Sequence, residues 1–423
     1  MSRNRSKAKL LVALAASAVG LLSVFNLVYV LKYARANQTR LSVPSIVLSA
    51  VEPVLVQSSC ESQGLPQLFT RQQTQRVHVV ISTDCSPYQD WQSEAFVYAH
   101  WKQGFASLPR ARVTRLIACK DSNWVPPKSS FSFYNQIITP SADPNKEIND
   151  FYPPRNRPGS LVWVFQNMPE YFDPDELVYL MDPDQIMLQK WDVNMRFDLK
   201  PGEALGAEYG QGTAYLKWAP KYCPECDFDA LSSQQKKDLA IGAPYIMYGR
   251  DLIRIIPVWA EILEAIRADE AVDKKGGWVS DMFAYSIASV KLDFLHKRLP
   301  IMVSHPGIDS EPWELIRGLA SIEQPLLVAH FCQTIKIREY KWGKHDFHKE
   351  MLRDCKRRPL FPEPTGETLT WVLNQSYVAL KENKETPKDI TLQQRAAWFY
   401  LQTIPISNEA FRRYREQFCS PAE

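Results

Sequence analysis

Two aspartates one residue apart follow an apolar run in the middle of the chain. Asp182 and Asp184 come directly after residues 177–181, whose sequence is LVYLM, and apolar residues resume at Ile186. Such a run predicts a buried strand, so both carboxylates would lie at its C-terminal end. Mg²⁺ and Mn²⁺ prefer oxygen ligands of this kind, usually with water and substrate phosphates completing the shell. The spacing therefore predicts a site for one divalent cation, Mn²⁺ or Mg²⁺, that would assist a departing diphosphate.

The same Asp-Pro-Asp tripeptide occurs earlier, at Asp173 and Asp175, without a preceding apolar run. That copy is typical of a turn before the strand. A solvated turn is also the alternative for Asp182 and Asp184, but their position after an apolar strand favours metal binding. His345 and His348 likewise have metal-like spacing, in a charged stretch that offers no evident third ligand.

The segments around this pair alternate between strand and helix patterns. Residues 77–84 form a β-branched run ending in Thr83 and Asp84, which predicts a buried strand with polar groups at its end. A helix over 91–105 and a strand over 112–118 complete a βαβ pattern, which favours a parallel sheet with ligands at the strands' carboxyl ends. Further predicted elements are a helix or strand at 161–165, strands at 176–181 and 240–247, and helices at 250–268, 281–295 and 392–403.

The N-terminal residues have the pattern of a membrane anchor. Residues 10–31 are almost entirely apolar, and a helix needs about 20 such residues to cross a bilayer. Basic residues precede the run at Arg3, Arg5, Lys7 and Lys9, while Lys32 and Arg35 follow it. This excess predicts a cytoplasmic N-terminus and an uncleaved, single-pass type II anchor. A cleaved signal peptide is the alternative, although its apolar region usually runs only about 7–15 residues.

The anchor sets the predicted order of regions. We expect a cytoplasmic tail at 1–9, the transmembrane anchor at 10–31, a stem at 32–75, a lumenal catalytic domain at 76–355 and a C-terminal extension packed on it at 356–423. A net charge of +3, with several positive charges in the first nine residues, leaves no basic surface for nucleic acid.

The eight cysteines permit disulfides in a lumenal compartment, although the sequence does not give their pairing. Cys223 and Cys226 form a CxxC pair without the second pair that a zinc site needs, so a local disulfide, or pairing elsewhere, is favoured. Asn37 and Asn374 lie in glycosylation acceptor patterns.

Several blocks stand in a fixed order over residues 77–350. They are STDCSPYQDWQ from Ser82, VTR from Val113, MDPDQI from Met181, GWVSD from Gly277, VAHF from Val328 and YKWGK from Tyr340. In this order they resemble the plant hydroxyproline O-arabinosyltransferases and the related peptidyl serine galactosyltransferases, enzymes anchored in the Golgi. Gln185 stands where the plant enzymes have His, and Cys332-Gln333 where they have a longer polar stretch. These differences bear on the donor sugar and the acceptor more than on the reaction class.

The resemblance implies an α/β fold of the GT-A type, a Rossmann-like glycosyltransferase domain with one nucleotide site. It implies that Thr83 and Asp84, at the first strand end, face the nucleotide of the donor. Arg115 would support the uracil or a phosphate. Asp182 would contact the donor as well as the metal.

The resemblance also supplies candidates beyond the acidic pair. His330 is the candidate third metal ligand beside Asp182 and Asp184, because GT-A enzymes often complete the metal shell with a late histidine; a core histidine after an apolar run is the alternative. Asp281 lies three residues beyond Trp278, so a helix would place both on one face.

Asp281 could contact donor hydroxyls or act as the base of an inverting reaction, and an acidic residue at a helix N-terminus is the alternative. Trp278 could stack on a sugar of the donor or belong to the core.

The resemblance therefore implies transfer of L-arabinofuranose from UDP-arabinofuranose to hydroxyproline in a protein, with divalent-metal assistance, at the Golgi (or ER/cis-Golgi) membrane. A peptidyl serine galactosyltransferase is the nearest alternative. An inactive membrane-tethered scaffold or glycan-binding protein is the alternative from another class, and the intact Asp84, Asp182 and Asp184 argue against it.

Overall fold

The first predicted strand lies inside a seven-stranded sheet. β1 (Val77–Asp84) pairs in parallel with β2 (Arg112–Cys119) on one side and with β4 (Leu177–Met181) on the other. β2 pairs in parallel with β3 (Tyr134–Pro140). The full order is β3-β2-β1-β4-β7-β6-β8, in which β6 is Ala204–Glu208, β7 is Ile241–Tyr248 and β8 is His296–Leu299. β1 and β4 are buried on both faces, which explains why they read as continuous apolar runs. Four parallel strands therefore end at the same edge of the sheet.

This structure, a computed structural model, describes residues 76–191, 199–209, 212–270, 272, 277–294, 296–316, 326–347, 352–356, 360–375 and 388–419. The predicted tail, anchor and stem, together with Asn37, lie outside the described residues. Across those ranges, none of the helices combines the length and apolar character needed to cross a bilayer. Asn374 is exposed at the end of a short helix, and its glycosylation remains a prediction.

The strand predicted at 240–247 is present, but its direction differs from the expectation of a parallel sheet. β7 (Ile241–Tyr248) runs antiparallel to β4 and to β6 (Ala204–Glu208), and β6 is parallel to β8 (His296–Leu299). A strand buried on both faces is apolar in either direction, so its residue pattern does not reveal its orientation. The prediction of a parallel sheet is right for β1 to β4 and wrong for β7.

Helices cover both faces of the sheet and divide its core in two. Val79 and Ile81 of β1 pack in one core with α1 (Pro87–Lys102) and the C-terminal α7 (Lys388–Phe418). Val80, which points the other way, packs with α4 (Gly249–Arg267) and α5 (Ser280–Lys291) in the second core. The remaining elements are α2 (Asn156–Asn167), α3 (Ser233–Asp238), α6 (Gly366–Leu373), β5 (Gln185–Met187), β9 (Met302–Val303), β10 (Val328–His330), β11 (Ile335–Ile337) and β12 (Tyr340–Trp342).

The predicted helices are present with shifted ends. α1 begins before residue 91 because the Ser86 side chain accepts a hydrogen bond from the amide of Gln89 and Pro87 follows it, an N-cap arrangement. Residues 161–165, left open between helix and strand, belong to α2. α7 extends well beyond the predicted 392–403.

Disulfides join three pairs of the described cysteines: Cys85–Cys119, Cys223–Cys226 and Cys355–Cys419. The local CxxC disulfide is thus confirmed. Cys85–Cys119 links the residue that follows β1 to the last residue of β2, at the edge where the parallel strands end.

A small sheet places the late part of the chain beside β4. β10 pairs antiparallel with β5, which brings His330 opposite Gln185, and its other neighbour is β9. The β11–β12 hairpin follows and leads directly to Lys344. Residues from the last quarter of the chain therefore meet the strand end that carries the acidic pair.

The N-terminus of α4 packs tightly on the turn before β4. The amide of Gly249 donates to the carbonyl of Glu176 at 2.9 Å, and a Cβ at Gly249 would overlap the carbonyl oxygen of Asp173. We expect Gly249→Ala to lower the free energy of unfolding by about 2–3 kcal/mol, because backbone must move to admit the methyl group. Thermal unfolding of the purified protein measures this effect.

The neighbouring Arg250→Ala provides the control for this prediction. Arg250 pairs with Asp175 at the surface, and an exposed pair contributes at most about 1 kcal/mol. An unfolding midpoint of Gly249→Ala equal to that of Arg250→Ala would contradict the close packing at this turn.

Candidate active site

Asp182, Asp184 and His330 come together at the end of β4. Each offers one ligand atom, and these atoms all lie within 4.8 Å of one another. The Nε2 atom of His330 is 3.1 Å from Oδ1 of Asp184; both residues are buried, whereas Asp182 is half-buried. The acidic pair follows β4 and the histidine ends β10, so the pairing of β5 with β10 creates the cluster.

These three residues fit a divalent cation. Two carboxylates and one imidazole are donors that Mn²⁺ and related ions accept. The Nδ1 atom of His330 is buried and has no hydrogen-bond partner among the described residues, so the surrounding protein does not satisfy this side chain completely. The geometry supports a metal-binding cluster and leaves the identity of the ion open. His345, the other histidine with metal-like spacing, stacks on Tyr88, and His348 lies outside the described residues.

Two basic side chains lie beside the cluster, and the sequence analysis selected neither of them as a site residue. Lys344 contacts Asp184, and Arg157, in the first turn of α2, contacts Asp182. Burial opposes ionisation of Asp184, but attraction from His330 and Lys344 outweighs it and holds the pKa of this carboxyl well below its usual range. Lys344 stood in the YKWGK block, which was a usable signal, whereas no pattern in the sequence marked Arg157.

Arg157 also joins the acidic cluster to Asp281. Its Nη1 atom lies 3.4 Å from Oδ2 of Asp281, while Nη2 contacts Asp182. Oδ1 of Asp281 is 3.3 Å from the hydroxyl of Tyr152, which accepts a hydrogen bond from the Asp281 amide at 3.0 Å. Burial raises the pKa of Asp281 to about 6, opposed by Arg157 and reinforced by Asp182. Asp281 is thus a buried carboxylate that the Arg157 side chain connects to Asp182, one of the predicted metal ligands.

Thr83, Asp84 and Arg115 lie together at the end of β1. The Nε atom of Arg115 donates to the Thr83 hydroxyl at 2.8 Å, and Nη2 donates to the carbonyl of Asp84 at 3.2 Å. A buried ion pair with Asp90 at 2.9 Å holds the rest of the guanidinium, which is 1% exposed. Arg115 therefore fixes the strand end on which the half-buried Asp84 lies, and its direct contact with a donor remains a prediction.

Trp278 is at the surface, so the alternative that places it in the core is wrong. The residue is 69% exposed, and its ring meets Tyr152 edge-on with the centroids 6.2 Å apart. Its carbonyl accepts a hydrogen bond from the Tyr152 hydroxyl at 2.7 Å. Tyr152, which the sequence did not single out, therefore connects Trp278 to Asp281.

Tyr209 is another site residue that the sequence did not single out. Its ring centroid is 6.0 Å from that of His330, and burial, reinforced by nearby acidic groups including Asp182 and Asp184, raises the pKa of its hydroxyl well above the usual value. It comes directly after the last residue of β6, and nothing in its spacing indicated a place at this cluster.

The parallel-rich sheet, with helices on both faces and an acidic cluster at the strand ends, fits an α/β glycosyltransferase fold. Residues 77–299 match the family model of the hydroxyproline O-arabinosyltransferase family N-terminal domain. That match covers more than half of the 423 residues, and the chain belongs to this family. His330 and Lys344 lie beyond the matched residues.

Curated relatives carry two kinds of name. A peptidyl serine alpha-galactosyltransferase of Arabidopsis thaliana is 26% identical over 308 residues, covering 68% of this chain and 34% of that protein. One of Chlamydomonas reinhardtii is 24% identical over 378 residues, covering 82% and 47%. The hydroxyproline O-arabinosyltransferase RDN2 of Medicago truncatula is 25% identical over 240 residues, covering 55% and 61%. The chain thus spans between a third and a half of the length of the two galactosyltransferases.

Proposed function

We propose that this chain transfers a sugar from a UDP-sugar to a hydroxyl group of a protein side chain, assisted by Mn²⁺ or Mg²⁺. One observation carries the proposal: Asp182, Asp184 and His330 place their ligand atoms within 4.8 Å of one another at the end of β4. Family membership adds to it, because the family takes its name from glycosyl transfer to hydroxyproline.

The roles of the residues follow from their positions. Asp182, Asp184 and His330 would hold the cation, which supplies charge neutralisation to the departing diphosphate. Lys344 and Arg157 add fixed positive charge beside the same carboxylates. This charge would stabilise the negative charge that develops on the departing diphosphate, without reorganisation of the protein. Thr83 and Asp84, together with Asp182, remain the proposed donor-binding residues.

Asp281 is the proposed catalytic carboxylate. In an inverting reaction it would take the proton of the acceptor hydroxyl, and a carboxylate with a pKa near 6 suits that task. In a retaining reaction its negative charge would keep Arg157 in place. Both roles require the ionised form.

The rate should therefore fall as the pH drops through about 6, because protonation of Asp281 removes its charge. We expect Asp281→Asn to be slow at every pH and to lack this acidic limb. The measurement is kcat/KM against pH at saturating metal. An unchanged acidic limb in Asp281→Asn would assign the ionisation to another group.

The donor and acceptor follow the family. L-arabinofuranose from UDP-arabinofuranose and hydroxyproline are proposed first, because the family model bears that name. Galactosyl transfer to serine is the second candidate, and the extent of the matches favours it: the galactosyltransferases align with 68% and 82% of this chain, RDN2 with 55%.

The proposed location is the Golgi (or ER) membrane, with the catalytic part in the lumen. The apolar run at 10–31 and the disulfides of the described residues support it, since disulfides persist in oxidising compartments.

The test is UDP release by the full chain in detergent, with Mn²⁺ or EDTA, across a panel of UDP-sugars. Peptides containing hydroxyproline or serine serve as acceptors, and mass spectrometry identifies the product. Metal-dependent release with one sugar and one acceptor type supports the proposal and selects between the two candidates. Folded protein that binds no UDP-sugar and releases no UDP would support a non-catalytic scaffold or glycan-binding protein instead.

A further inference from the structure

One tryptophan of this chain stands apart from the others. The 12 tryptophans all lie within the described residues, and Trp278, at 69%, is the one that is exposed. A large aromatic side chain dominates the energetics of the surface that buries it, so an isolated exposed ring beside an active-site residue indicates a ligand surface.

The backbone that carries this ring is firmly held. The hydroxyl of Tyr152 donates to the Trp278 carbonyl at 2.7 Å, and Nη1 of Arg267 donates to the carbonyl of Gly277 at 3.5 Å. Arg267 lies 4.0 Å from the centroid of the Tyr152 ring and makes two hydrogen bonds to Asp150. The ring of Trp278 is therefore presented to solvent from a supported position, which is the condition for a preorganised binding surface.

A second exposed aromatic residue belongs to the loop segment that carries Asp150 and Tyr152. Phe151 is 72% exposed and lies in the chain between Asp150 and Tyr152, both of which Arg267 contacts. Tyr152 continues inward to Asp281, whose Oδ1 atom is 3.3 Å from its hydroxyl. Phe151 is thus the chain neighbour of Tyr152, whose ring meets Trp278 and whose hydroxyl lies close to the proposed catalytic carboxylate.

The chemistry of these rings selects one occupant. Aromatic surfaces recognise proline-rich segments in the extended polyproline II conformation, which is already ordered and loses little entropy on binding. The relatives are named for transfer to hydroxyproline or to peptidyl serine, so their acceptors are protein segments. Asp150 and Arg267 form an ion pair with each other, so this pair adds no net charge to the surface near the exposed rings. The pair therefore does not favour a charged ligand there.

We propose that Trp278 forms the docking surface for an extended, proline-rich acceptor segment, and that it does not bind the donor. This inference rests on the proposed function. It assigns Trp278 to the acceptor, whereas the family resemblance had suggested the donor sugar.

The test uses the full chain and a fluorescent peptide rich in proline and hydroxyproline. Trp278→Ala should weaken binding of this peptide, measured by fluorescence anisotropy, by about 10-fold, the loss expected when one stacking ring and its buried area are removed. The peptide KM for UDP release should rise by about the same factor. The donor KM, and the UDP release seen without peptide, should stay as in the wild type. Trp278→Phe should keep most of the affinity.

Two controls make the result specific. Leu373→Ala removes another exposed apolar side chain, on α6, and should change neither constant. A peptide in which alanine replaces the prolines next to the acceptor residue should bind wild type and Trp278→Ala equally weakly. A raised donor KM with unchanged peptide binding would overturn the inference in favour of a donor site, and unchanged binding of both would overturn it outright.

The binding assay keeps the two proposals distinguishable. If the wild type binds the peptide but transfers no sugar, the proposed reaction fails while the peptide surface stands. If the wild type transfers sugar and Trp278→Ala binds the peptide equally well, the surface fails while the reaction stands.

Discussion

Replacing Asp184 with alanine should reduce sugar transfer about 1,000-fold, the loss that several kcal/mol of charge stabilisation by a metal represents. Asp184 is buried between His330 and Lys344, so its removal deletes one proposed metal ligand and leaves both of these partners without their carboxylate. We expect Mn²⁺ binding, measured by electron paramagnetic resonance, to weaken in parallel with the rate.

The chain contains its own control for this prediction. Asp175 has the same place in an identical Asp-Pro-Asp tripeptide, but its side chain is 70% exposed in a turn. Asp175→Ala should leave both the rate and Mn²⁺ binding unchanged, while Asp184→Asn, which keeps the shape of the side chain, should resemble Asp184→Ala. Full activity of a folded Asp184→Asn protein would contradict the metal site.

Replacing Arg157 with alanine should lower kcat by about 100-fold, the effect of removing one charged donor from a preorganised site. Its guanidinium bridges Asp182 and Asp281, so the variant leaves two carboxylates facing each other without a cation. Arg157→Lys should recover part of the rate, because it restores one positive charge but not both contacts. Steady-state kinetics at saturating donor and acceptor measure this effect.

Stability must be measured alongside, since breaking a buried ion pair costs about 3–5 kcal/mol. Arg157→Ala combined with Asp281→Asn removes one of the opposed charges and should regain stability without regaining rate. A folded Arg157→Ala protein that keeps the wild-type kcat would show that Arg157 acts on the fold and has no part in the chemistry.

The sequence identified the parts of the site that follow directly from local pattern. The strands β1, β2 and β4 are buried on both faces, so their apolar runs were visible, and the acidic pair was recognisable because it ended one of them. His330 came from the family resemblance, and the pairing of β10 with β5 brings it beside the acidic pair.

The remaining parts depend on distant pairing. Tyr152 lies in a loop and Arg157 in the first turn of α2, with no distinctive spacing. Arg157 becomes a site residue because the start of α2 meets Asp182 and Asp281. The antiparallel direction of β7 was equally hidden, since burial on both faces gives the same composition either way. The exposure of Trp278 could not be read from a residue type that is usually buried.

The pairing of β10 with β5 has a consequence for how the protein is made. The acidic pair leaves the ribosome well before His330, and at translation rates of about 5–20 residues per second the gap is about 7–30 s. During that interval the nascent chain carries both carboxylates and Arg157 but lacks the imidazole and Lys344. A metal ion that is present early would therefore meet an incomplete set of the proposed ligands, and the proposed site is complete only after His330 has been made. A truncated chain ending at residue 299, where the family match ends, lacks His330 and Lys344. We expect such a chain not to retain the ion.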